Sequence, residues 1–204
     1  MVENIHWLGH DSFRLEGELT IYIDPWKLPP NPPKADIILI THEHYDHCSP
    51  EDVAKIQKAD TVIVTIPAAA KKLKGEVKTV KPWDKITVKG IEVETVPAYN
   101  LDKPFHPKEA GHVGFIVNFG GKRIYHAGDT DFIPEMKNLK VDIALLPVSG
   151  TYVMTADEAA KAADAIKPQV AIPMHYGEIV GSVKDAQRFK ELTSVQVVIL
   201  RPSR

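Results

Sequence analysis

The chain of 204 residues has one cysteine, Cys48, so it cannot close an internal disulfide, and a reducing, cytoplasmic setting is the expectation. It also has almost no net charge. Lys and Arg number 25 against 27 Asp and Glu, a formal charge of −2, which removes the electrostatic case for tracking long nucleic acids or lying on an anionic membrane. A small-molecule substrate is the partner this balance leaves, and homo-oligomerisation stays open. No apolar run approaches the roughly 20 residues that span a bilayer. The opening MVENIHWLGHDSF has no basic segment leading into an apolar one, so no secretion signal is expected. Repeats and low-complexity segments are absent, and the length suits a single domain over 1–204.

What the chain does have is concentrated in Thr41 to Pro50, THEHYDHCSP, directly after the apolar run Ile37-Ile38-Leu39-Ile40. The spacing H-x-H-x-D-H places His42, His44, Asp46 and His47 where a buried strand ends and a loop begins, so their side chains can converge. Imidazole nitrogen and carboxylate oxygen are the ligands that suit zinc, and also manganese or iron where carboxylate and water share the shell. A polar loop that happens to be histidine-rich is the plainer reading, but four candidate ligands in six positions weigh against it.

The first third alternates as strands at Asn4 to Leu8, Ser12 to Glu16 and Thr20 to Asp24, an antiparallel meander. The proline-rich Pro25 to Lys34 connects, and Ala35 to Thr41 is a strand apolar enough for burial on both faces. Ser49 then caps a helix that has Pro50 at its first position and runs to about Lys58. Strand-like segments follow at Thr61 to Ile66, Glu76 to Val80, Lys85 to Lys89 and Ile91 to Val96, with a helical turn or two at Pro67 to Leu73. Leu101 to His112 is a long irregular stretch of the kind that walls a site. A hairpin of Val113 to Phe119 and Lys122 to Ala127 turns at Gly120-Gly121, and a short helix covers Ile133 to Asn138. Then come strand Val141 to Pro147, helix Thr155 to Ile166 with a capping box, strand Val170 to Met174, helix Ser182 to Leu192 and strand Val195 to Leu200. A meander followed by β and α in alternation, twice over, implies two sheets packed together with helices outside.

Two further candidate ligands end apolar strands: Asp129 after RIYHAG and His175 after VAIPM. Alone, each is more simply a turn former or a hydrogen-bonded end residue; the cluster upstream changes that, because a metal needs more ligands than one loop supplies.

H-x-H-x-D-H after a strand, a later Y-H-A-G-D-T and a terminal P-M-H-Y resemble the metallo-β-lactamase-fold hydrolases. Within them, W-L-G-H-D-S-F and the I-D-P of Ile23 to Pro25 resemble the branch of the L-ascorbate phosphate lactonases and N-acylphosphatidylethanolamine phospholipase D. The resemblance runs from Trp7 to Tyr176. It implies an α/β fold, a four-layer αβ/βα sandwich, with one or two zinc ions in a cleft at the sheet edge. It further implies one ion on His42 and His44, another on Asp46, His47 and His175, Asp129 bridging, and a metal-bound hydroxide as nucleophile oriented by Asp46. His10 is a candidate proton donor, although a hairpin hydrogen bond explains it equally well. The activity implied is hydrolysis of an ester, lactone or phosphodiester of a small, anionic substrate; Lys103, Lys108 and Tyr176 are candidates to meet it, although solvated loop charges are the commoner case.

One position departs from the pattern. Those hydrolases carry a third histidine for the first metal in a P-A-x-H segment, and this chain has Pro97-Ala98-Tyr99-Asn100. A neutral amide oxygen is a poor replacement. His106 or His112 on the following loop can complete the shell, His106 being favoured; an incomplete first site would point instead to a non-catalytic metal-binding or metabolite-sensing protein. His126 and Cys48 are read as packing residues rather than ligands.

Overall fold

The computed structural model describes residues 2–203. The first sheet begins with the meander β1 (Ile5–Gly9), β2 (Ser12–Glu16) and β3 (Thr20–Ile23), paired antiparallel. It continues in parallel through β4 (Ile37–Ile40), β5 (Val62–Thr65) and β6 (Glu76–Thr79), in spatial order β1 to β6. The second sheet repeats this plan. β7 (Lys85–Val88), β8 (Ile91–Pro97), β9 (Val113–Phe119) and β10 (Lys122–His126) pair antiparallel, and β11 (Ile143–Pro147), β12 (Val170–Met174) and β13 (Gln196–Val197) add in parallel. Helices α1 (Pro50–Ile56) and α2 (Pro67–Ala70) lie in the connections of the first half, α3 (Ala156–Ile166) and α4 (Val183–Leu192) in those of the second.

The strands that carry the cluster are buried throughout. Every residue of β4, β5, β11 and β12 is buried, as parallel strands covered on both faces must be. One continuous apolar core takes in both sheets, from Trp7 and Phe13 to Ile172 and Phe189.

Local chemistry sets the helix ends. The Ser49 hydroxyl accepts from Asp52 N at 3.2 Å with Pro50 in the first turn, while Thr155 with Glu158 and Ser182 with Asp185 close reciprocal capping boxes. The Gly120-Gly121 turn has both residues at positive φ, 57° and 72°, the geometry a two-residue hairpin needs.

Three expected elements come out shorter. The helices expected at Pro67 to Leu73 and Ile133 to Asn138 are a single turn and a 3-10 turn at Pro134–Asn138. The strand expected over Val195 to Leu200 keeps only Gln196 and Val197, and the cause lies in its neighbour. Val198 N still bonds Ala171 O at 3.0 Å, but the next inward-facing residue of β12 is Pro173, which has no N–H to continue the ladder.

At one end of the two sheets backbone hydrogen bonds from His175 N to His10 O at 3.1 Å and from Val113 N to Thr41 O at 3.2 Å tie one sheet to the other, and Asp131 N to Tyr99 O at 3.0 Å joins two loops of the second. That shared edge is where the candidate ligands meet.

Candidate metal centre

The strand ends turn sharply into the site, and three do so through a non-glycine residue in the left-handed region: His10 after β1 (φ 50°), Asp24 after β3 (φ 47°) and His175 after β12 (φ 61°). That conformation costs about 1–2 kcal/mol per residue and persists only where packing and hydrogen bonds over-determine it, a pattern typical of functional sites.

Asp129 sits at the middle. Its Oδ1 is 3.3 Å from His47 Nε2, and its Oδ2 is 3.2 Å from His106 Nε2, 3.4 Å from His175 Nε2 and 3.9 Å from His42 Nε2. Every one of these four imidazoles is fixed through its other nitrogen. His47 Nδ1 meets Asp24 Oδ2 at 2.7 Å, His42 Nδ1 meets Thr41 Oγ1 at 2.9 Å, His106 Nδ1 meets Asn100 Oδ1 at 3.1 Å and His175 Nδ1 meets Ser149 Oγ at 2.9 Å. Such outer partners select the tautomer that turns the Nε2 lone pair inward.

The potential donor atoms form overlapping groups, each within 4.8 Å: His42, His44 and His106; His10, Asp46, His47 and His175; and Asp11, His47, Asp129 and His175. His47 Nε2, His106 Nε2 and Asp129 Oδ1 are buried with no hydrogen-bond partner. Orphaned lone pairs on histidine and carboxylate, aimed at one point, are what a bound cation satisfies, so the residues fit a metal centre.

The electrostatics agree. Burial, reinforced by His47, pushes His42 well down, and burial also lowers the half-buried His44, both towards the neutral imidazole that ligates a metal. Burial would also depress His47, but Asp129 and Asp24 outweigh it and raise His47 well above its ordinary value. Asp24 and Asp129 on either side of His47 make this a position suited to positive charge, which a bound cation would supply in place of a ring proton. Burial would raise the Asp46 carboxyl, yet the hydrogen bond with His10 and the nearby His47 ring, its Nε2 3.5 Å away, hold it well below the usual range. His10, depressed mainly by burial, contacts Asp46 Oδ2 through Nε2 at 2.9 Å and lies against the ring of His175, centroids 4.2 Å apart.

Among the three candidates for the first site, Asn100 is not a ligand here. Its Oδ1 is taken by His106, through N at 3.0 Å and Nδ1 at 3.1 Å, and its Nδ2 donates to Asp131 Oδ1 and Tyr152 O. His106 is the residue delivered to His42 and His44. His112 stacks on the outer face of His42 at 4.8 Å with its Nε2 near Glu43, and burial pushes it down to about 4. His126 lies one layer out, its Nε2 at 2.8 Å from Asp11 O, and Cys48 is buried with its thiol pushed up to about 11.

Two participants were not assigned roles from the sequence. Asp24 accepts from Thr41 N at 2.8 Å and Thr41 Oγ1 at 2.7 Å besides holding His47. Asp11 is fully buried with both carboxylate oxygens unpartnered, 3.9 Å from His47 Nδ1, and burial together with Asp129 raises it well above the ordinary carboxylate value. The available signal was an aspartate adjoining each of the two turn motifs, His10-Asp11 and Ile23-Asp24-Pro25. The lysines picked out for an anionic substrate are engaged elsewhere: Lys103 Nζ lies 2.7 Å from Asp131 and Lys108 Nζ 3.2 Å from Glu135. Tyr176 packs on Trp7, ring centroids 4.8 Å apart.

Comparison with known proteins gives the family and the fold. The model of the beta-lactamase superfamily domain matches residues 4–175. A UPF0173 metal-dependent hydrolase of Thermoplasma acidophilum is 37% identical over 204 residues, covering 92% of this chain and 89% of its own. A crystal structure from Parabacteroides distasonis, provisionally described as a metal-dependent hydrolase, superposes with a TM-score of 0.87 at 39% identity, covering 98% of this chain and 93% of its own. A Thermotoga maritima structure, provisionally described as a zinc-dependent hydrolase of the metallo-β-lactamase superfamily, gives 0.64 at 25% identity and covers 96% of each chain.

Proposed function

The chain belongs to the UPF0173 metal-dependent hydrolase family of the metallo-β-lactamase superfamily, with its four-layer fold, and on that premise we propose that it cleaves an ester, lactone or phosphodiester bond of a small molecule. The observation that carries this is the convergence of four Nε2 atoms, each fixed from behind, on the two oxygens of Asp129. In this reading His42, His44 and His106 would hold one ion and Asp46, His47 and His175 the other, with the Asp129 carboxylate available to both. Zinc suits the donor set first, manganese or iron next. Divalent ions there would supply Lewis acidity and lower the pKa of a nearby water towards about 7.

The remaining steps fall to the protein. Asp46, held ionised, accepts a hydrogen bond from the attacking water and so orients it towards the scissile carbon or phosphorus. His10 fixes Asp46 by donating Nε2–H to it, and stands one hydrogen bond behind it as a path for a proton. Asp24, Thr41, Ser149 and Asn100 keep the imidazoles from rotating, so the site needs little rearrangement during the reaction. A binding or sensing role without turnover rested on an open first site, and the position of His106 supports the enzyme reading instead.

The test joins metal content with turnover. About two ions per chain by plasma mass spectrometry, and hydrolysis of p-nitrophenyl acetate or bis(p-nitrophenyl) phosphate that is lost on chelation and restored by zinc or manganese, is the expected result. Asp46→Asn, assayed with excess metal because the change also weakens a ligand of the second ion, should turn over about 100-fold or more slowly; undiminished turnover in that variant rules out the role given to Asp46.

A further inference from the structure

Beside the cluster lies an open cleft of about 210 Å3. Its floor is the metal-facing set. Its walls are four large apolar side chains from four separate loops: Tyr45 after β4, Phe105 before β9, Tyr152 after β11 and Ile179 after β12. Tyr45, Phe105 and Ile179 are exposed by 66%, 47% and 40%, three of the seven exposed large apolar residues among those described. Such residues gathered at one mouth are a binding signature, whereas scattered ones carry none.

The walls are also built. Phe105 and Tyr152 form an edge-to-face pair with centroids 4.5 Å apart at 88°, and Tyr45 stands edge-on to Trp26 at 6.1 Å. Tyr152 is held at φ 70° with its carbonyl accepting from Asn100 Nδ2 at 2.8 Å, so the residue that fixes His106 also fixes the wall facing it.

Charge is lacking where an anion would need it. None of the described residues lining the cleft is Lys or Arg. The flanking lysines are neutralised: Lys103 by Asp131 and Asp102, Lys108 by Glu135 over the face of Tyr99, and Lys27 by Glu178 over Trp26. Phosphoryl transfer spreads charge over three oxygens and ordinarily draws on Arg or Lys as well as metal, while an acyl ester brings one carbonyl and leaves its remaining surface neutral.

Taking the hydrolase reading as given, we propose that the substrate is an uncharged carboxylic ester or lactone bearing an aromatic or similarly sized apolar group, seated between Phe105, Tyr152, Tyr45 and Ile179 with its carbonyl over the Asp129 cluster. The size is consistent, since a cavity of about 150 Å3 accommodates benzene. The bond broken is the acyl C–O bond: water adds its oxygen to the acyl carbon, the alcohol oxygen leaves with the bonding pair, and the water proton passes by way of Asp46 to that alcohol.

A matched pair tests this: benzyl acetate and its para-carboxylate derivative, which differ only by a charge remote from the reacting carbonyl. For the metal-loaded full chain, kcat/KM for the neutral ester should exceed that for the charged one by about tenfold or more, because the charge must be desolvated against apolar walls. Calorimetric binding of the uncleavable ketone benzylacetone and its para-carboxylate should show the same order. Phe105→Ala and Phe105→Leu should raise KM for benzyl acetate, the alanine more, at unchanged metal content, and Lys108→Ala should leave it alone. Equal handling of both esters, preference for bis(p-nitrophenyl) phosphate, or loss of the charged ester's turnover in Lys108→Ala would overturn the substrate proposal and leave the hydrolase standing. Preferential binding of benzylacetone with no ester or phosphodiester cleaved would do the opposite.

Discussion

Asn100 shows how a single residue can change roles without the site losing its chemistry. At the position where the resembling hydrolases present a histidine, its amide oxygen receives both N–H groups of His106 and its amide nitrogen ties Tyr152 and Asp131. The ligand has moved six residues along the chain and the amide has become its support. Asn100→Ala should therefore weaken binding of the first ion about 10–100-fold, the usual effect of removing a ligand's outer partner, with the second ion unaffected. Competition against a graded series of chelators reads this directly, and identical release of both ions in parent and variant would refute it. At this scale the H-x-H-x-D-H cluster was legible because its spacing alone brings four ligands together. The choice between His106 and His112 was legible only as a preference for His106, because both lie on one irregular loop and the fold of that loop, closed by Asn100 N to His106 O at 2.8 Å, decides which one turns inward. Asp11 and Asp24 escaped because an aspartate at a turn is the commonest kind of aspartate.

At the scale of elements, the caps and the Gly-Gly hairpin could be read from local chemistry, and the truncation of β13 could not, since Pro173 acts from a neighbouring strand. Gly128 is a similar case. It precedes Asp129 at φ 65°, and a Cβ there would lie 3.0 Å from Val113 O and 3.3 Å from Thr41 Cβ, backbone and a buried strand end that cannot yield. Gly121, at φ 72°, has nothing within 4 Å. Gly128→Ala should cost about 1–3 kcal/mol from strain and crowding, and Gly121→Ala about 1 kcal/mol from strain alone. At roughly 2–4 °C per kcal/mol for a chain of this size, thermal melts of the metal-free proteins separate the two. Gly128→Ala should also impair metal retention, because Thr41 and Asp129 flank the site on either side of that contact; equal melting shifts with intact metal binding would mean that the close approach at Gly128 is not needed.

On the scale of the whole molecule, the two halves meet at one edge, and what holds the first half's loop there is Asp52. Its carboxylate accepts from Lys27 N at 2.9 Å, Leu28 N at 3.1 Å, the Ser49 hydroxyl at 2.9 Å and Lys55 Nζ at 2.9 Å, pinning the proline-rich connection to the first turn of α1 just past the ligand cluster. Burial would raise this carboxyl, but these hydrogen bonds lower it below the ordinary carboxylate value. A carboxylate depressed in the folded state stabilises fully above its unfolded pKa, and that contribution is lost as pH falls through the lower, folded value. Asp52→Asn keeps the shape and removes the charge, so at about pH 7 it should destabilise by about 1–3 kcal/mol, the range for charge-assisted hydrogen bonds. The gap between variant and parent should persist down to about pH 4 and close only below it. Urea unfolding with chelator present in both proteins, so that acid release of metal does not intrude, measures the gap at each pH. A gap that stays constant through the acid range would place the effect of the substitution in packing rather than in the carboxylate's charge.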